Sequence, residues 1–160
     1  MNYWLLKSEP SAFSFTDLKT SPKRQTHWDG VRNYQARNFI RDGMRKGDLA
    51  FFYHSSCADP AIAGIVRIVS AAYPDHTAFD ASDKHYDASS EPANPRWYMV
   101  DVRYERAFER ALTLRELKQY KATQLAELAL LRRGNRLSVM PIDAKQWNFI
   151  IELARQHSQD

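Results

Sequence analysis

The chain has 160 residues, 44% apolar and 26% charged, with a net charge of +4. That length suits one domain able to bury roughly 70% of the surface it would expose unfolded, and no apolar run approaches the roughly 20 residues needed to cross a bilayer as a helix. The single cysteine, Cys57, excludes an intrachain disulfide and any cysteine-rich zinc motif.

The N-terminal stretch MNYWLLKSEP has no charged segment ahead of its short apolar run, which argues against a signal peptide. Lys23-Arg24 is too short a basic run for nuclear import, so the expectation is a soluble, cytoplasmic protein. Charge is uneven along the chain. Residues 1–56 carry nine Lys/Arg against five Asp/Glu, residues 57–95 two against six, and residues 96–160 twelve against eight. Two basic segments therefore flank an acidic middle, a balance compatible with a polyanionic partner.

In chain order, residues 2–7 read as a short apolar strand. Ser14 then opens a helix, with Asp17 to complete a capping box and Phe13 set to staple against Leu18. After WDG, the positions Ala36, Phe39 and Ile40 share a helical face behind Asn33, and Gly43 reads as a left-handed stop. Residues 49–54, LAFFYH, are too aromatic for a surface loop and too short for a good helix, so they form a strand. Residues 61–69 form the next strand, with Gly64 marking a bulge or close backbone approach.

Residues 97–104 alternate as a strand, with Tyr98, Val100, Val102 and Tyr104 on one face. Helix starts recur at Thr113 and Asp143; a Leu/Ala-rich helix is expected over residues 123–133, and a last strand over 137–140. Strands joined without intervening helices favour a mixed α+β domain with a curved, largely antiparallel sheet.

Dinucleotide and Walker-type glycine signatures are missing. His54, Cys57 and Asp59 have a spacing able to reach one ion, but they lack a second matched pair, and nothing orients His54 as a base for Cys57. No metal and no cofactor is expected. The acidic stretch over residues 74–95 reads as a solvated excursion that can still act by shape, as a flap over a neighbouring cleft. Arg37 and Arg41 lie four apart on the helix after Asn33, and Arg132, Arg133 and Arg136 cluster around Gly134. Either group serves as a solvated surface or, if it borders a cleft, as a phosphate contact.

The segments YWLLKSEP, WDGVRNYQARNFIR, GDLAFFYHSS, GIVRIV, YPDHTAFD, PRWYMVDV and RLSVMPI follow one another from about residue 2 to residue 151. Together they resemble the EVE domain family. The resemblance implies a PUA-like fold, a bent mixed β-barrel surrounded by short helices, with residues 1–160 forming one domain similar to the YTH domains that read N6-methyladenine in RNA. It implies a non-catalytic module that binds RNA or DNA through a pocket for a modified base, such as 5-methylcytosine or 5-hydroxymethylcytosine. A monomer is expected.

Carried onto this chain, the resemblance puts Lys7 and Ser8 at the pocket floor, Trp28 as a cage aromatic and Ser55 and Trp97 at facing strand ends. Arg136, Leu137 and Ser138 form the far wall. Val31, Asn33 and Tyr34 complete the base-pocket set, with Tyr34 and Trp97 both open as the second aromatic, and Asn33 either capping its helix or reading a base edge. Arg32, Arg37, Arg41, Arg132, Arg133 and Arg136 would meet the phosphate backbone. The alternatives are a general RNA-binding module, or a small-molecule binder or enzyme using His54 or Lys7 in the same pocket.

Overall fold

The computed structural model describes residues 1–157. Its main sheet has six strands: β1 (Tyr3–Ser8), β2 (Gln25–His27), β3 (Leu49–His54), β4 (Ala61–Ile68), β7 (Asp101–Thr113) and β8 (Val139–Ile142), in spatial order β2-β7-β4-β3-β1-β8. Between β4 and β7, β5 (Tyr73–Pro74) pairs with β6 (Tyr98–Met99) as a separate ribbon. Only β1 and β3 run parallel; the other pairs are antiparallel. Register shifts beside Phe52 and Gly64 curl this mixed sheet into a half-barrel, since a bulge bends its strand and increases the local twist. A Cβ at Gly64 would lie 2.4 Å from the Arg106 carbonyl oxygen, so the close backbone approach expected there is real.

The central strands are apolar at nearly every position because both faces of the sheet are covered. Trp4, Leu6, Ala50, Phe52 and Val66 point into one core with Trp28, Val31 and Ile40. Leu5, Phe51, Tyr53 and Ile65 point into a second core with Trp147 and Ile150, where Phe51 stacks on Trp147 with ring centroids 3.9 Å apart. Trp147 and Ile150 belong to the long C-terminal helix α4 (Ala144–His157).

All three expected helix starts are present. Ser14 and Asp17 form a reciprocal capping box on α1 (Phe15–Thr20). Thr113 caps α3 (Leu114–Lys118), and Asp143 accepts from the Gln146 N–H at 2.7 Å while Gln146 answers at 3.0 Å. Helix α2 (Tyr34–Asn38) starts at Asn33 but does not stop at a left-handed Gly43. It widens into a π-helical turn, Phe39–Gly43, and exits through extended Met44. Gly43 is needed for space instead: a Cβ there would sit 2.8 Å from the Trp4 ring.

Three other elements differ from expectation. Residues 123–133 form successive turns with one 3-10 turn, Ala129–Leu131, because Leu125, Leu128, Leu130 and Leu131 all enter the second core and an unbroken helix would point some of them outward. The strand expected over 97–104 breaks at Val100, with β6 before it and the thirteen-residue β7 after it. The last strand starts two residues later than expected, at Val139. No helix of the described residues is long and apolar enough to cross a membrane.

Candidate functional site

At the carboxyl end of β1 the sheet opens into a cleft of about 620 Å³. Lys7, Ser8 and Glu9 form one side as the chain leaves the sheet, Ala12 and Phe13 continue it, and Ser138 faces them. The Lys7 N–H donates to the Ser138 carbonyl at 2.9 Å, and within the first side the Ser8 hydroxyl donates to the Phe13 carbonyl at 2.6 Å. The opposite side is Thr26, His27 and Trp28 at the end of β2, followed by Asp29, Gly30 and Val31. Trp28 is anchored by its N–H to the Val100 carbonyl and by an edge-on contact with Phe52. It is only 7% exposed, so it serves the core and the cleft wall at once.

Asp83, Lys84 and His85 close the third side. They come from the acidic excursion, most of whose residues are exposed to solvent as expected, while its root is buried. Asp75, at its root, is fully buried and accepts from the Gly30 N–H at 2.8 Å, from Arg32 Nη1 at 3.0 Å, and from both the N–H and the hydroxyl of Thr77. Burial alone would raise its pKa; the hydrogen bonds from Thr77, Gly30 and Arg32 outweigh that and hold the carboxyl below its usual range. Gly30 takes φ +77°, and a Cβ there would sit 2.5 Å from the His85 ring. The turn residue is therefore also the seat of the flap.

Lys7, Ser8, Trp28, Val31 and Ser138 line the cleft as expected. The other expected pocket residues do not. Asn33 accepts from the Ala36 N–H at 2.9 Å through its side-chain oxygen, so that oxygen caps α2. Tyr34 and Trp97 stack on each other, centroids 4.9 Å apart, with Arg37 over the outer face of the pair and Arg32 over the inner. Both rings are occupied in fastening the flap to α2, and the Trp97 indole N–H donates to Asp87. Ser55 contributes its backbone N–H to the Ser8 carbonyl, while Leu137 packs into the cores.

The arginines divide in the same way. Arg32 is not a phosphate contact: its donors go to Asp75, Thr77, the His85 carbonyl and the Val31 carbonyl. Arg37 donates to the Arg96 carbonyl, and Arg41 pairs with Asp42 at 2.8 Å on the surface. Arg132, Arg133 and Arg136 are exposed, and only Arg132 reaches a carbonyl, that of Glu127 at 3.4 Å. His54 is structural: its Nε2 accepts from the Phe15 N–H at 3.1 Å, and burial lowers its pKa. Burial also lowers the pKa of Lys7 in the cleft. Among the described residues no group of three or more His, Cys, Asp or Glu side chains is placed to hold a metal ion.

Sequence reasoning missed Thr26, His27, Asp29 and the flap triplet as cleft residues. The signal for His27 was adjacency to Trp28; for the flap it was only the charge change over residues 57–95.

A curled mixed half-barrel with short helices and a cleft at its rim defines a PUA-like domain. The EVE domain model matches residues 2–153, and the chain belongs to that family. Human thymocyte nuclear protein 1 is 48% identical over 167 residues, spanning 95% of this chain and 73% of the relative. The Danio rerio protein of the same name is 48% identical over 168 residues, spanning 96% and 72%. Among solved structures, the human THYN1 protein in complex with 5-methylcytosine-containing DNA is similar with a TM-score of 0.92 and 46% identity, over 96% of this chain and 98% of that one. A Pseudomonas putida protein is similar at 0.88 and 49%, over 95% and 99%. The cytoplasmic expectation is overturned by these relatives, whose name is that of a nuclear protein. Its only footing was the lack of a basic run, which says little about where a domain works.

Proposed function

We propose that this chain is a non-catalytic nucleic-acid-binding module that takes one unstacked, modified base, a methylated or hydroxymethylated cytosine, into the rim cleft. The observation that carries the reading is the likeness, over 96% of the chain, to a protein solved in complex with DNA containing 5-methylcytosine. The cleft has a size common for small-ligand sites, an indole on its wall and polar groups from Ser8, Ser138 and Lys7 around it. Lys7 loses hydration by burial, and a phosphate brought near it would compensate that loss. Exposed Arg132, Arg133 and Arg136 supply the salt-sensitive term. The reading takes residues 1–160 as one monomeric domain, the last three lying outside the described residues.

Extruding a base costs a few kcal/mol in a duplex and little in a single strand. Contact with an aromatic wall returns roughly 1–3 kcal/mol. Burying one more methyl adds about 0.8 kcal/mol, which distinguishes methylated from plain cytosine only about fourfold. Any larger preference has to come from hydrogen bonds to the base edge.

Fluorescence anisotropy with methylated and unmethylated oligonucleotides, DNA and RNA, single- and double-stranded, at two salt concentrations tests the proposal. Tighter binding of the methylated DNA, weakened by salt, is expected; absence of salt-dependent binding to every one overturns it. Trp28→Phe is the informative variant, since it keeps an aromatic in the core and shrinks the stacking surface. Trp28→Ala removes a core side chain and would cost about 3–5 kcal/mol of stability.

A further inference from the structure

The geometry points to the turn that leads into β2, with Lys23, Arg24 and the neighbouring Lys19, as a surface that holds the nucleic-acid backbone on the Trp28 side of the cleft. This rests on the nucleic-acid reading above. That reading leaves one side without a partner for the phosphates. Exposed Arg133 and Arg136 lead into Ser138 on one side of the cleft, whereas on the opposite side the donors of Arg32 are taken up inside the protein. A strand that delivers one base into a cleft runs on past both of its sides, and its charges need cations along each.

From Leu18 to Trp28 the sequence holds three Lys/Arg and no Asp or Glu. Lys19 stands in the last turn of α1, Lys23 and Arg24 in the 3-10 turn Pro22–Arg24, and all three are exposed. Among the described residues no carboxylate pairs with any of them. Asp17 accepts from the Ser14 N–H at 2.8 Å within the capping box, and Glu105 is held by Arg67 at 2.9 Å. Arg24 lies over the Tyr104 ring, 5.5 Å from its centroid, a contact that sets the direction of the guanidinium without using its N–H donors.

The backbone of the turn adds a second observation. Lys23 has φ 57° and ψ 13° and Arg24 has φ 55°, two successive left-handed residues, a conformation that glycine adopts freely and residues with a Cβ adopt at a cost. Backbone bonds alone close the turn, from the Arg24 N–H to the Ser21 carbonyl at 2.8 Å and from the Gln25 N–H to the Pro22 carbonyl. The two cations therefore sit where glycine would fold more easily, and strain of this kind collects at functional positions. Thr26, His27 and Trp28 then carry the chain along the cleft wall. Arg24 precedes Trp28 by four residues, about 13 Å of extended chain at roughly 3.3 Å each. A duplex strand carries one phosphate per ~3.4 Å of axis, so the turn meets the backbone about four phosphates from the base in the cleft.

The test is a salt series of anisotropy titrations with a DNA duplex carrying one 5-methylcytosine and with its unmethylated counterpart. Lys23→Gln keeps the Cβ and removes the charge, and Lys23→Gly removes the charge together with the strain. Each is expected to reduce the salt slope by about one unit. Each is expected to weaken binding of the two duplexes by the same factor, because phosphate contacts carry no sequence information. Lys23→Gly is expected to melt no lower than the wild type, which separates lost binding from lost folding. Neutral methylphosphonates in place of the phosphates three to five nucleotides to one side of the 5-methylcytosine are expected to abolish the difference between wild type and Lys23→Gln, and the same change on the other side to leave it. An unchanged slope in either variant, an altered ratio of methylated to unmethylated binding, or a difference that survives neutralisation on both sides overturns the proposal and leaves the nucleic-acid reading intact. Absence of salt-dependent binding by the wild type to either duplex overturns both.

Discussion

Arg32 Nη1 lies 3.0 Å from Asp75 Oδ2, joining the WDGVRN turn to the root of a flap forty-three residues later in the chain. Asp75 is fully buried, and the guanidinium also holds the His85 carbonyl at 2.7 Å through Nη2. Removing the cation leaves a buried carboxylate short of its charged partner. Arg32→Ala is expected to cost about 2–3 kcal/mol in urea unfolding and to raise proteolytic cleavage within residues 80–90.

Gly30→Ala is expected to cost about 1–2 kcal/mol, because alanine is strained at φ +77°, and to weaken oligonucleotide binding further by pushing His85 out of its seat. Both effects are read by comparing thermal denaturation with anisotropy titration. A variant that is destabilised yet binds normally would show that the flap's position is irrelevant to the ligand.

Stability should depend on His54 in mildly acid solution. Burial lowers its folded pKa, so the unfolded chain takes up the proton first. The stabilising contribution is present above the unfolded value, about 6.5, and is lost as pH falls through the folded value. Protonation also destroys the acceptor that receives the Phe15 N–H. Unfolding free energy measured between pH 7.5 and 5 is expected to fall, and to fall less in His54→Gln.

Lys7 opposes stability in the same sense: a half-buried ammonium with lowered pKa prefers the unfolded chain when charged. Lys7→Met is expected to raise the unfolding midpoint in urea at neutral pH while weakening oligonucleotide binding, a trade of stability against function.

Arg133→Ala and Arg136→Ala are expected to leave stability within about 0.5 kcal/mol and each to reduce the salt dependence of binding by about one unit of slope. An unchanged slope in the double variant would place the phosphate path elsewhere on the surface.

Much of the fold was legible because local chemistry decides it. Ser14, Thr113 and Asp143 are caps in any context that lets a helix form, and LAFFYH has no other comfortable home than a strand. The turns over 123–133 were not legible, because Leu125, Leu128 and Leu131 alone fit a helical stripe, and only the burial of Leu130 beside them shows that the chain reaches the core by successive turns. At the site, Trp28, Lys7 and Ser8 could be placed, whereas Tyr34, Trp97 and Arg32 could not be told from ligand contacts. They have the same chemistry as a cage and a phosphate clamp, and only the position of Asp75 reveals that they serve each other.

The parallel pairing of β1 with β3 has a kinetic consequence. Tyr3 meets Leu49, and β1 meets β8 through Tyr3 with Ile142, so the strand that ends in Lys7 and Ser8 is held wholly by partners distant in sequence. Such loops close slowly. The antiparallel β3–β4 pair has partners within the same stretch of chain and is expected to form early, with the N-terminal strand inserted later. During refolding, recovery of ligand binding should therefore lag behind recovery of β-sheet circular dichroism.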